Sequence, residues 1–110
     1  MTKTGYLKII DFGLSKKFEK GIKRKATICG TVDYMAPEIL GTKKYGRSVD
    51  WWAVGIILYE LKFGFNPFNL EQKDFSREEF KKHVDETDIF WIDGKEYGIP
   101  YSEDFKDLVN

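Results

Sequence analysis

Apolar residues in this chain come in short bursts, each ended by glycine, proline or a run of charge. Tyr6 to Ile10 follows a Thr4-Gly5 turn and predicts a short strand. Residues 13–33 hold Gly13, Gly21 and Gly30 among basic and small residues, with no apolar period. That stretch predicts a long loop, and long loops inside compact domains are usually functional. Met35 to Leu40 predicts a short helix with Pro37 tolerated in its first turn and Gly41 as its stop.

Val49 to Phe63 is the strongest helix, with Ser48 as N-cap, Asp50 in the first turn, Gly64 as the stop and Pro67 just beyond. Its apolar residues cover nearly the whole circumference, the pattern of a helix buried on all sides. Another start lies at Phe75-Ser76-Arg77-Glu78-Glu79-Phe80. Ser76 and Glu79 fit a capping box, Phe75 and Phe80 a hydrophobic staple, and the helix should reach about Asp85. Asp93-Gly94 predicts a tight turn, with a hairpin between Phe90-Trp91-Ile92 and Tyr97. Ser102 should cap a last helix containing Phe105, Leu108 and Val109.

Composition narrows the picture. Nine Phe, six Tyr and three Trp in 110 residues argue for a packed core rather than disorder. Net charge is zero, so no whole-chain field favours nucleic acid or an anionic membrane as partner. Charge is nonetheless uneven: Lys16 to Lys25 holds six basic residues against Glu19, and the chain beyond Asn69 is acidic. One Cys excludes an internal disulfide, and Cys29 with His83 is too little for a structural zinc site. Trp51 to Leu61, the longest apolar run, falls short of the ~20 residues a membrane span needs. With no signal-peptide pattern at the N-terminus, the expectation is a cytoplasmic protein.

The chemistry sits in ordered motifs. Asp11-Phe12-Gly13 is followed, sixteen residues after Gly13, by Cys29-Gly30-Thr31-Val32-Asp33-Tyr34-Met35-Ala36-Pro37-Glu38. Asp50-Trp51-Trp52-Ala53-Val54-Gly55 and Asn66-Pro67-Phe68 come next. Asp-Phe-Gly alone recurs by chance, but DFG and APE in this order bound an activation segment. On these motifs the chain resembles a serine/threonine protein kinase of the cyclic-nucleotide-dependent, basophilic branch. The resemblance is dense from Gly5 to Phe68. Residues 85–98 do not match the family's spacing and read as a lineage-specific insertion. The implied fold is mainly α with a short β segment, a partial C-lobe of a protein-kinase-like domain. Residues 1–38 would run from strand to APE, 39–70 would hold the short and central helices, and 71–110 the late helices.

The resemblance implies roles. Asp11 would coordinate Mg2+ on the phosphates of ATP, a hard oxygen ligand for a hard cation. Phe12 would pack beneath and set where Asp11 faces, and Gly13 would supply the backbone freedom. Thr27 matches the activation-loop phosphorylation site, open to an activating kinase, with Lys16 placed to hold the phosphate. The competing reading is a solvated basic loop with an unmodified Thr. Thr31 matches the residue that hydrogen-bonds the catalytic aspartate and marks serine/threonine specificity. Ile28, Val32 and Met35 would form the socket for the residue after the acceptor, with ordinary loop packing as the alternative. Val32 departs from the proline common in the branch. Glu38 and Asp50 would be structural: Glu38 paired with a later arginine, Asp50 accepting backbone bonds from the catalytic loop while suiting a helix's first turn. Glu60 stands near its helix's C-terminus, where an acid is unfavourable for the helix dipole. In the branch a glutamate here recognises substrate arginine, implying protein substrates with basic residues near the acceptor Ser/Thr. Cys29 is read either as a reactive-prone thiol or as a small loop residue.

The glycine-rich loop, the strand lysine, its helix glutamate and the H-R-D…N loop are not found in this sequence. The expectation is that Met1 is an internal methionine of a longer kinase and that the chain stops inside an apolar helix. ATP and Mg2+ would then be bound by the full-length parent, the chain alone being inactive, poorly folded or aggregation-prone. The alternative function is a noncatalytic interaction module, or a relic of a truncated kinase gene.

Overall fold

A computed structural model describes residues 2–17, 24–25, 31–41, 44–68, 75–94 and 96–110. The elements that build it are β1 (Arg24–Lys25), α1 (Pro37–Leu40), β2 (Lys44–Tyr45), α2 (Ser48–Phe63), α3 (Arg77–Glu86) and α4 (Glu103–Val109). Two 3-10 turns, Phe12–Leu14 and Val32–Tyr34, carry the motif residues. Among the described residues the only sheet is β1 against β2, antiparallel, with Arg24 opposite Tyr45 and Lys25 opposite Lys44. The expectation of a mainly helical chain with a short β segment holds.

Helix ends follow local chemistry. Pro37 stands in the first turn of α1, where its missing N–H is no loss, and the Gly41 N–H closes the helix on the Pro37 carbonyl at 3.0 Å. α2 begins one residue earlier than expected. Arg47 holds the N-cap position with no side-chain capping bond to the helix, and the Ser48 hydroxyl donates to Glu38 Oε1 at 3.4 Å. Gly64 ends α2 at φ 87°, a left-handed backbone that a side chain would strain, with its N–H on the Glu60 carbonyl at 2.7 Å. The capping box of α3 forms in full: Ser76 Oγ accepts from the Glu79 N–H at 3.3 Å, and Glu79 Oε2 accepts from the Ser76 N–H at 2.9 Å. Phe75 meets Phe80 at 5.9 Å between ring centroids, the expected staple. Ser102 Oγ accepts from the Phe105 N–H at 3.1 Å and starts α4.

The core lies where α1, α2 and α3 converge. Leu40, Ile56, Phe68, Phe80 and Val84 are buried together, and Trp52 stacks on Phe68 at 5.5 Å and 8°. A second aromatic cluster joins the C-terminal end of α2 to α4. Phe63 packs edge-on to Trp91, Tyr101 and Phe105, while the fully buried Tyr59 donates its hydroxyl to the Phe90 carbonyl. Burial pushes the Tyr59 phenol up to about 12, with the Tyr101 phenol adding to the shift.

Two expectations are corrected. Tyr6–Ile10 forms no strand, because among the described residues no other segment offers it a ladder; Ile9 is 85% exposed. The hairpin at 90–97 does not form either. The Phe90 carbonyl is taken by Tyr59 and the Trp91 ring by the aromatic cluster. The chain instead turns, with the Tyr97 N–H on the Asp93 carbonyl at 3.1 Å and Gly98 at φ 67°. α2 is covered on one side only. Val49, Ile56, Tyr59 and Phe63 are buried, whereas Trp51 is 72% exposed and Val54, Ile57 and Leu61 share that exposed side. No described helix is long and apolar enough to cross a membrane.

Candidate functional site

Asp11 takes a left-handed backbone, φ 61° and ψ 71°, rare for any residue but Gly, Asn or Asp. Its short carboxylate makes that tolerable by accepting locally: Oδ1 lies 3.3 Å from the Gly13 N–H. A Cβ on Gly13 would lie 3.2 Å from the same oxygen, so Gly13 leaves the carboxylate room to turn over it. Phe12 to Leu14 form one 3-10 turn, closed by Ser15, whose N–H and hydroxyl both donate to the Phe12 carbonyl at 3.0 and 2.6 Å. Asp11, Phe12, Gly13 and Lys16 are all exposed. Among the described residues no hydrogen bond, ion pair or ring contact joins residues 2–17 to the helical body.

The donor set at Asp11 is one hard oxygen ligand. Among the described residues no group of three His, Cys, Asp or Glu could hold a metal ion. A single carboxylate is a kind of ligand that magnesium takes, commonly with phosphates and waters completing its shell.

The second half of the site lies on the body. Thr31 precedes the Val32–Tyr34 turn and is exposed, and its hydroxyl caps nothing. Val32 and Met35 are half-buried against the core, as ordinary packing requires, so any substrate surface they offer is a fringe of that core. Ile28, Thr27 and Cys29 lie outside the described residues. Asp50 is exposed in the first turn of α2, where the helix dipole favours an acid. Glu38, in the first turn of α1, accepts from Ser48.

Glu60 has a partner that the sequence did not reveal. Tyr34 donates its hydroxyl to Glu60 Oε2 at 2.8 Å, across 26 residues of chain. The bond to the Glu60 carboxylate, reinforced by desolvation and by the negative charges of Glu60 and Asp33, raises the Tyr34 phenol above its usual range. Asn66 is the other unforeseen residue, buried to 9% exposure. Its Nδ2 donates to the Asp33 carbonyl at 3.0 Å, and its Oδ1 accepts from the Phe68 N–H at 2.9 Å. Tyr34 and Asn66 both belong to motifs visible in the sequence. What hid them is that each acts through a long-range bond, which no local pattern encodes. The structure thus ties the Val32–Tyr34 turn to Glu60 near the C-terminal end of α2, packs Val32 and Met35 on the core, and leaves Asp11 on a separate arm.

The family model for the protein kinase domain matches residues 1–110. The human cAMP-dependent protein kinase catalytic subunit PRKX is 40% identical over 92 residues, which cover 77% of this chain and 25% of that protein. The rat protein kinase C delta type is 49% identical over 74 residues, covering 67% of this chain and 11% of that protein. The serine/threonine-protein kinase sgk-1 of Caenorhabditis elegans is 52% identical over 64 residues, covering 58% of this chain and 14% of that protein. The chain therefore spans a quarter or less of these three relatives.

Proposed function

The chain belongs to the protein kinase family, and from that premise we propose that it is the part of an ATP-dependent serine/threonine kinase that holds the metal-binding acid and the substrate-facing end of the catalytic lobe. ATP and Mg2+ supply the phosphoryl group and the charge neutralisation when bound by the whole protein. Asp11 is the residue that holds the cation. Phe12 and Gly13 set its orientation, which the tight Asp11–Gly13 turn supports. Thr31 is the contact to the catalytic aspartate. Ile28, Val32 and Met35 border the acceptor's neighbour, and Glu60 selects basic residues near the acceptor Ser/Thr. Thr27 is the phosphorylation switch, acted on by an activating kinase, with Lys16 as a cationic contact. Glu38 and Asp50 are structural.

The observation that carries this reading is Glu60. Its carboxylate stands at the unfavourable end of a helix and is held by the Tyr34 phenol at 2.8 Å, with no ion pair to a Lys or Arg among the described residues, an arrangement that suits a cationic partner. The second reading, a noncatalytic interaction module, draws on the exposed apolar side chains of α2 and of residues 6–14. The two are separated by measuring phosphate transfer from Mg-ATP to a serine peptide bearing arginine and to its alanine counterpart. The 110-residue chain is expected to give no transfer. The product of the reading frame extended upstream is expected to phosphorylate the arginine peptide in preference, and Asp11→Asn should abolish that transfer. Transfer that survives Asp11→Asn, or shows no arginine preference, would overturn the assignment of the corresponding residue.

A further inference from the structure

Glu60 is useful to a cationic ligand only if its carboxylate is held in one place, and what holds it is a hydroxyl on a different element. The Val32–Tyr34 turn that carries this hydroxyl is three residues long, and its N-cap side chain forms no capping bond. A turn so short has little to fix it internally: among backbone bonds, Met35 N–H to the Val32 carbonyl at 2.9 Å is its own closure. Val32, Tyr34 and Met35 pack on the core, and the polar tie that fixes the backbone of the turn comes from Asn66. One end of that amide is anchored by the Phe68 N–H, and Phe68 is buried in the core and stacked on Trp52 of α2. The other end donates to the Asp33 carbonyl, immediately before Tyr34. Core, Asn66, Asp33, Tyr34 and Glu60 therefore form one continuous chain of contacts. Asn66 is also the only buried amide side chain among the described residues, and both its ends are used. An amide suits this task because it carries a donor and an acceptor on one rigid plane. A buried amide with either end unpaired would be destabilising, so the geometry is enforced and not incidental.

We propose that Asn66 is a positioning residue for Glu60: by fixing the Asp33 carbonyl to the core it sets the Tyr34 hydroxyl on the carboxylate, and so sets the selectivity for a basic peptide. The selectivity rests on the reading of Glu60 above; the positioning does not. Asn66→Asp is the discriminating variant. It keeps an oxygen to accept from the Phe68 N–H and loses the donor to Asp33, and because it also places a carboxylate at this buried position the uncharged Asn66→Ser is read beside it.

Two readouts are needed on the full chain, with a thermal melt to confirm that the variant folds. The first is the NMR signal of the Tyr34 phenolic carbon, assigned with Tyr34→Phe. Asn66→Asp should move it toward the position it takes in Glu60→Gln, where the charged acceptor is gone. Asn66→Ser, which offers a shorter donor, should move it less. The second is binding of an arginine-bearing peptide against its alanine counterpart, where Asn66→Asp should reduce the preference by about two- to tenfold, the span of one hydrogen bond. A Tyr34 signal unmoved in folded Asn66→Asp overturns the positioning role, whatever the peptides do. A wild-type chain that does not prefer the arginine peptide removes the selectivity claim and the reading of Glu60 together. A moved Tyr34 signal would then support the positioning role alone. A variant that fails to melt cooperatively shifts the decision to Asn66→Ser. An unmoved Tyr34 signal there, with the fold intact, is again contrary to the proposal.

Discussion

Residues 2–17 and the helical body are both rich in large apolar side chains, yet their fates differ. In the arm, Tyr6, Leu7, Ile9, Ile10, Phe12 and Leu14 are all exposed. In the body, Leu40, Ile56, Phe68, Phe80 and Val84 close on one another. The difference follows from where each segment finds its backbone hydrogen bonds. A helix satisfies its own, so α2 and α3 need only bring apolar stripes together. A strand-type sequence needs a second strand, and the arm meets none among the described residues. It keeps only what it can make locally: Thr2 Oγ1 accepts from the Tyr6 N–H at 3.0 Å, and Asp11 accepts from Gly13. Asp11, the proposed metal ligand, thus sits on the arm that the core does not hold, and Glu60, the proposed substrate contact, on the body that it does.

The sharpest way to break this comparison is to remove the body's core and watch whether the arm's side chains then matter. Phe80 is 1% exposed and packs α3 onto α1 and α2. Phe80→Ala is expected to destabilise the body by about 3–5 kcal/mol, through lost transfer energy and an unfilled cavity. In a domain this small that is most of the total stability, so the thermal transition seen by circular dichroism should vanish at room temperature and above. A melt shifted by only a few degrees would mean that the body is not what holds the fold.

A smaller effect is expected at the start of α3. Ser76→Ala removes one side of the capping box, a loss of about 1 kcal/mol. The box also gives a pH signature. The hydrogen bonds from Ser76, side chain and backbone, hold the Glu79 carboxyl below its usual range. A depressed carboxyl contributes stability that is complete above its unfolded value and lost as pH falls through the folded one. The advantage of wild type over Ser76→Ala should therefore be full at neutral pH and shrink as the solution is acidified through the glutamate range. Melting curves of both proteins at neutral and acid pH test this, and a constant difference would show that Glu79 takes no part in the cap.

These examples mark what was legible in the sequence. The capping box at Ser76, the cap at Ser102, Pro37 in the first turn and the stops at Gly41 and Gly64 are local chemistry, complete within about five residues, and the structure forms them as read. The strand at Tyr6–Ile10 and the hairpin at 90–97 depended on partners elsewhere, and the patterns could not say whether those partners would come. Phe90-Trp91-Ile92 has strand composition, but a buried Tyr59 hydroxyl outbids any neighbouring strand for the Phe90 carbonyl. The site divides in the same way. Asp11 and Glu60 were legible as residue types in motifs. The grip of Tyr34 on Glu60, and of Asn66 on the turn before it, spans 26 and 33 residues and needs the fold to exist first.

The smallest expected effect is the most decisive for the comparison. Ile9→Ala removes as much apolar volume as a typical core truncation, and in a core that change costs about 2–5 kcal/mol. On the arm the side chain already faces water, so burial contributes nothing to lose, and the change in stability should stay within about 0.5 kcal/mol. Its effect should appear instead as weaker self-association in sedimentation, because Ile9 lies in a run of exposed apolar side chains. A stability loss of core size would mean that the arm docks on the body in solution. Asp11, the proposed metal ligand, would then be held by this chain's own contacts on the same body that carries Glu60, the proposed substrate contact.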